Sequence, residues 1–403
     1  MEKKKIKVIW ASLMAPYDRV RHASGKIENF FLKKLHASDE FDFRLISFAT
    51  KKEENDLDLD KYGITNSISI FEWNLKYRCI NAIGKLNIFS SSAGLTSPYY
   101  VNTVVKEMNK LKKSGFIPDI IIMDWTEIAT GLEKYKKIFP DAKTVIIEED
   151  VSFLGHTRKA EAASRIKHIF LKEKAARIKT RELELLNKAD LVVLNNKKDY
   201  KLIINDVKNI EKLWVWCPYY QSMLQYSRKA PNRDILFYGA LSRIENWKTA
   251  LWFLENVWPK IEAENVRYVM IGNNPPEVLK SYQSDRVIVT GFVDEIHPYF
   301  ESALCLAAPL VLGAGVKIKV IEGLSSGIPV LTNDIGIEGI PAEDKKEFFY
   351  CVTPDDYIRT IKKLLNGEID LKAIEQNGKA FIRNNFNYEK DAVVFANKLK
   401  ELL

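Results

Sequence analysis

The residues best placed to do chemistry lie in the run 309–340, PLVLGAGVKIKVIEGLSSGIPVLTNDIGIEGI. Gly313 and Gly315 let the backbone approach a ligand with no Cβ in the way. Ala314 lies between them, and Lys317 and Lys319 bring positive charge to the same turn. Val316, Val320, Ile321 and Leu324 recur at helical spacing, so the turn opens a helix whose apolar face packs on a sheet. A helix N-terminus presents unpaired amides and the positive end of a dipole, a combination suited to a diphosphate. Glu322 falls in the second turn. Helical side chains lean toward the N-terminus, so an acid there reaches a sugar hydroxyl just beyond the phosphates. Gly327 takes the C-cap position, Pro329 forbids continuation, and Ile328 to Leu331 read as a buried strand.

Three further groups carry chemical potential. Gly239 follows an apolar strand, and Arg243 and Lys248 come soon after; a cation there neutralises the charge that develops on a departing pyrophosphate. Lys248 also reads as a solvated surface lysine. HASGK follows the first strand and opens a helix, where Gly25 and Lys26 can approach the donor phosphate, and His22 is a catalytic candidate that also reads as a turn residue. Glu149 and Asp150 end the strand TVII. A carboxylate there can act as general base or stabilise an oxocarbenium-like transition state. Asp124 and Glu127, after the strand IIIM, are weaker candidates for acceptor contact. Glycines at strand ends are also ordinary turn chemistry, and an acidic strand end can simply be solvated.

These residues need sheets to position them. Short apolar runs alternate with helical stretches throughout, the pattern of parallel sheets covered by helices. Strands are expected at Ile6–Trp10, Phe43–Phe48, Ile68–Phe71, Ile120–Met123, Thr144–Ile147 and Leu191–Leu194, then at Asp234–Tyr238, Tyr268–Ile271, Val287–Thr290, Ala303–Ala308 and Val330–Thr332. A chain of 403 residues is too long for one ordinary domain. The expected division is an α/β domain over 1–205, a linker over 206–233, a second α/β domain over 234–386, and a final helix over 387–403. Open α/β sheets bind ligands beyond the carboxyl ends of their strands, so chemistry is expected in a cleft between the two domains.

Several stretches resemble the retaining glycosyltransferases of family 4, which have the GT-B fold. They are the GAGVK run, ILFYGALSR (235–243), WFLENVWPKI (252–261), YVMIGNNPP (268–276) and VIVTGFVDEIHPYFESA (287–303). The likeness is strong over roughly 235–345 and weaker at PYDRVRHASGK and VIIEEDVSFL. It is narrower still to the bacterial polysaccharide and lipopolysaccharide branch with a GAGVK donor loop. The resemblance implies an α/β GT-B fold, two Rossmann-like domains facing a cleft, with the last helix crossing back to the first. It implies that Glu322 meets the ribose, and that Gly272, Asn273, Phe292 and Val293 belong to loops that recognise the base. It implies transfer with retention, assisted by the leaving phosphate. The chain departs from the family where an Arg and a Lys are usual, having Ala240 and Glu245, where the first of two paired acids would stand, having Ala314, and where a His–Asp pair is frequent, having Glu149 before Asp150.

Composition narrows the rest. An apolar fraction of 46% with 28% charged residues is that of a globular protein. No apolar run reaches the length of a bilayer span. The basic N-terminus reads as a first strand, not a signal peptide. Four scattered cysteines lack metal-ligand spacing and suggest a reducing compartment, hence a cytoplasmic location. From His156 to Arg181 nine Lys or Arg face two Glu, with apolar residues largely on one helical face. Such a segment can lie peripherally on an anionic membrane, and a merely solvated helix is the competing reading. No nucleic-acid motif accompanies the charge. No metal signature sits at a strand end, so neither metal nor other cofactor is expected. The function expected is sugar transfer from a nucleoside diphosphate sugar to a glycan or lipid-linked saccharide. The alternative is a non-catalytic GT-B subunit assisting a partner, and a nucleotide-sugar epimerase ranks third.

Overall fold

The structure is a computed structural model describing residues 5–20, 23–72, 74–161, 163–217, 219–263, 265–313 and 316–403. The chain forms two compact units, one of residues 1–219 with 388–403 and the other of residues 220–387.

The first unit contains a seven-stranded sheet. Its strands are β1 (Ile6–Ser12), β2 (Phe41–Thr50), β3 (Thr65–Phe71), β4 (Ile120–Asp124), β5 (Lys143–Glu148), β6 (Leu191–Leu194) and β7 (Leu213–Val215). The spatial order is β3-β2-β1-β4-β5-β6-β7, and every pairing is parallel. Helices cover both faces, so the central strands are buried on both sides and read as unbroken apolar runs such as IIIMD. β7 lies within the stretch read as a linker. Its three residues are too few to give a periodic signal, and residues 206–219 belong to this first unit. The basic segment is two helices, Ser152–Glu161 and Arg165–Lys188, not one. A further helix, Leu75–Leu86, occupies a region where the sequence has no recognisable pattern.

The second unit repeats the plan with β8 (Asp234–Tyr238), β9 (Arg267–Ile271), β10 (Val287–Gly291), β11 (Cys305–Ala308), β12 (Val330–Thr332) and β13 (Phe349–Tyr350). Their order is β10-β9-β8-β11-β12-β13, again parallel. In each sheet the strand order reverses beside the first strand of the unit, at β1/β4 and at β8/β11. Such reversals leave a crevice at the carboxyl ends of the strands.

The final helix, Tyr388–Glu401, belongs to the first unit, as expected for a helix that returns to it. Phe395 packs edge-on to Trp10 and Trp216 and stacks on Trp214. Asp391 accepts from the Cys217 amide at 2.6 Å, and Lys400 pairs with Glu40 at 3.1 Å. The break before this helix falls at Phe386–Asn387, next to the predicted stop.

Candidate functional site

In the second unit the expected donor residues gather at the carboxyl edge of the sheet. The helix between β11 and β12 runs Ile318–Ser326, with Lys317 at its N-cap and Gly327 closing it at φ 79°. Val320, Ile321 and Leu324 are fully buried, which anchors the apolar face that the spacing predicts. Gly313 has φ 130°, and a Cβ there would lie 3.1 Å from Lys317 Cε, so glycine is required. Lys317 is largely covered and approaches Glu338 at 3.6 Å. Val316 is half-buried. Ala314 and Gly315 lie outside the described residues.

Glu322 is buried at 5% exposure, and its Oε1 accepts from the Gln221 amide at 2.9 Å. The side chain therefore ties the start of the second unit to this helix. A sequence reading could not find that partner, because Gln221 is a hundred residues away.

The loops after β8 and β9 are locked together. Gly239 N donates to Ile271 O at 3.0 Å, Gly272 N to Gly291 O at 2.9 Å, and Ser242 N to Asn273 O at 3.2 Å. A Cβ on Gly272 would sit 1.8 Å from Gly239 O. Gly272 is thus explained by backbone approach to backbone. Phe292 is 67% exposed beyond β10, leaving a free aromatic face, and Val293 beside it is half-buried.

Arg243 is exposed and pairs with Glu245 at the start of helix Ile244–Asn256. The cation enclosed at this edge is instead Lys319. Its Nζ donates to Asn246 Oδ1 at 2.7 Å and lies 4.4 Å above the Phe237 ring. Asn246 Nδ2 in turn donates to Ala240 O at 2.9 Å. Burial lowers the Lys319 pKa to about 7; Glu245 opposes that shift, while Arg243 and Lys317 reinforce it. Lys319 was readable only as charge near the turn.

In the first unit Gly25 is buried within helix Ala23–Ala37, and Lys26 is exposed. His22 lies outside the described residues. Glu149 is buried, with Oε2 accepting from Asn195 Nδ2 at 2.8 Å, whereas Asp150 is exposed. Two more carboxyls belong to the same electrostatic cluster. Asp124 ends β4, and Glu28, on the buried face of the helix after β1, accepts from Ser12 Oγ at 2.7 Å. Burial pushes the pKa of each of the three well above the usual carboxylate range. Mutual repulsion adds to this, Glu149 on Glu28, Glu28 on Asp124 and Asp124 on Glu149. Glu28 escaped the sequence reading because a helical Glu is normally solvated. Glu127 is half-buried, with its pKa raised chiefly by desolvation.

Residues 232–367 match the family model described as glycosyl transferases group 1. A Klebsiella pneumoniae protein, described as an uncharacterized 44.6 kDa protein in the cps region, is 24% identical over 234 residues. That alignment spans 53% of this chain and 58% of the relative's length. Among solved structures, the chain is similar to sucrose-phosphate synthase from Thermosynechococcus elongatus, with TM-score 0.69, 14% identity and 99% of both chains covered. It is also similar to HepE of Anabaena in complex with UDP, with TM-score 0.64, 14% identity, and 98% of this chain and all of that one covered. The lipopolysaccharide outer core galactosyltransferase WaaB gives TM-score 0.62 at 15% identity, over 98% of this chain and 100% of that one. The chain has the GT-B fold, and residues 232–367, within its second unit, are similar to the group 1 glycosyl transferases.

Proposed function

We propose that this protein is a retaining glycosyltransferase of the family 4 type that moves a sugar from a nucleoside diphosphate sugar to a glycan or lipid-linked saccharide in surface-polysaccharide assembly. The observation that carries the reading is the carboxyl edge of the second sheet. There Gly313, the N-terminus of helix Ile318–Ser326 and the enclosed Lys319 converge at the strand-order reversal. This arrangement suits a diphosphate by amide donation and charge. The UDP held by HepE and the sugar-transfer activity of WaaB support the same substrate class.

In the proposed reaction the bond from the anomeric carbon to the diphosphate oxygen breaks, and the electron pair leaves with the diphosphate. The acceptor hydroxyl attacks from the same face, and its proton passes to the departing phosphate oxygen. No protein base is needed in this scheme. Glu149, held protonated by burial, is suited to donating a hydrogen bond to the acceptor, while the exposed Asp150 is the better placed to accept one. The enclosed cation and the helix N-terminus do the charge neutralisation that a divalent metal does elsewhere, so metal independence is part of the proposal.

The location proposed is the cytoplasmic face of a membrane, through the basic helices Ser152–Glu161 and Arg165–Lys188. Among the described residues no helix is long and apolar enough to cross a bilayer.

Calorimetric titration with UDP, GDP, ADP and dTDP tests the reading. One of them is expected to bind with a micromolar Kd, unchanged by EDTA. Failure of all four would overturn the enzyme reading in favour of a non-catalytic subunit, to which the uncharged Ala240 and the acidic Glu245 lend some support.

A further inference from the structure

We infer that Lys319 is the residue that binds the donor's diphosphate by charge, through an ammonium that Asn246 and the Phe237 face hold beside the strand end. The inference rests on the nucleotide-sugar reading of the second unit and adds to it a named residue and a regulatory property.

Other cations stand at this edge. Arg243 is exposed and neutralised by Glu245, and Lys317 has Glu338 nearby. Ala240 has no charge to offer. Lys319 differs from them all. It projects from the first turn of helix Ile318–Ser326 toward the loop after β8, where Asn246 and the Phe237 face hold its ammonium. A Cβ at position 239 would stand 2.9 Å from Lys319 Nζ, so glycine there leaves room for the ammonium beside the strand end. The residue as a whole is half-buried, with its ammonium beside the strand-order reversal where open α/β sheets bind ligands. Asn246 takes one of three N–H donors and carries no charge. An ammonium held this way is positioned without being neutralised.

Burying a lysine beside an amide and an aromatic ring is unfavourable for the charged form. Glu245 favours the ammonium; Arg243 and Lys317 disfavour it. With its pKa lowered to about 7, the lysine gives up its proton far more readily than an exposed one. A diphosphate binds the charged form, so binding takes up a proton. Affinity is therefore full at the acidic end and is lost as pH rises through 7. The terminal phosphate itself titrates near pH 6, which places the informative window above that value.

The test is calorimetry from about pH 7 to 9 with whichever of UDP, GDP, ADP and dTDP the wild type binds, alongside the matching nucleoside. Wild-type affinity for the diphosphate is expected to fall by about ten- to fifty-fold across that window, with net proton uptake on binding. Lys319→Met is expected to lose about ten- to a hundred-fold in diphosphate affinity at pH 7, to leave nucleoside affinity within about threefold, and to flatten the pH profile. Lys319→Arg is expected to bind with no pH dependence, because guanidinium stays charged. A flat wild-type profile overturns the inference even where the methionine variant does not fold. Equal diphosphate affinity in wild type and Lys319→Met overturns it while leaving the nucleotide-sugar reading intact. A wild type that binds none of the four overturns both.

Discussion

At the residue scale the unexpected feature is how many acids are buried with no cation paired to them among the described residues. Glu28, Asp124 and Glu149 come from three elements and meet at the carboxyl ends of β1, β4 and β5. Desolvation pushes each pKa well above the usual carboxylate range, and the acidic neighbours push the same way. The stability consequence has a definite sign. In the unfolded chain a glutamate ionises near pH 4.3, so every pH step above that favours the unfolded state until the folded group ionises too. Removing the titration should therefore stabilise the protein at high pH and do little at low pH. Glu149→Gln keeps an oxygen for Asn195 and is expected to raise the melting temperature by about 2–4 °C at pH 8, with the gain vanishing near pH 4. Thermal unfolding of both proteins across pH checks this, and a gain independent of pH would show that packing, not ionisation, was responsible. Asp150, adjacent in sequence but exposed, shows how little a sequence position says about such an environment.

At the element scale the donor edge depends on loops that cross almost in contact. Gly272 passes so near Gly239 O that a methyl group would overlap it, with Leu241 Cγ 2.9 Å away on the other side. Gly272→Ala must move the loop after β8, and with it Gly239, against which Lys319 lies. Destabilisation of about 2–4 kcal/mol is expected, together with weakened nucleotide binding. Denaturant unfolding and the same calorimetry measure both. Gly155→Ala is the control. In helix Ser152–Glu161 the added methyl meets nothing within 4 Å, and a gain of up to about 1 kcal/mol is expected there. Should the two alanines behave alike, the contact argument fails. The helix at residues 318–326 was legible because its apolar period, its terminating Gly327 and the following Pro329 all agree. The long basic stretch was not, since the sequence between Glu161, where one helix ends, and Arg165, where the next begins, has no Gly or Pro to announce the change.

At the scale of the whole molecule, the surface of the first unit carries an uneven pattern. Leu75, Ile83, Leu86 and Phe89 are more than 60% exposed, and Ile169 is 72% exposed on the neighbouring helix. Lys174 Nζ donates to Lys85 O at 2.7 Å and Arg177 covers the Phe89 ring at 4.5 Å, so the two helices are adjacent. Basic side chains around exposed apolar ones suit an anionic bilayer surface. Flotation with vesicles containing phosphatidylglycerol should recover the protein with the lipid at low salt. Replacing Lys159, Lys167 and Lys172 by Glu should lower the partition constant by about 1 kcal/mol per charge removed, with no effect on nucleotide affinity. Undiminished recovery of the variant on anionic vesicles would remove the membrane proposal.

What the sequence by itself determined is whatever depends on neighbours along the chain. The alternation of apolar runs and helices, two parallel sheets, and the glycine turn with its helix were readable from period, caps and breakers, while the return of the last helix was implied by the resemblance to GT-B proteins. Only the tertiary structure decided which side chains share an environment. It placed Glu322 against the Gln221 amide, paired Arg243 with Glu245, brought Lys319 to Asn246, and gathered Glu28, Asp124 and Glu149 at one sheet edge. Charge state follows from burial and from groups distant in sequence, and neither is a property of a residue's place in the chain.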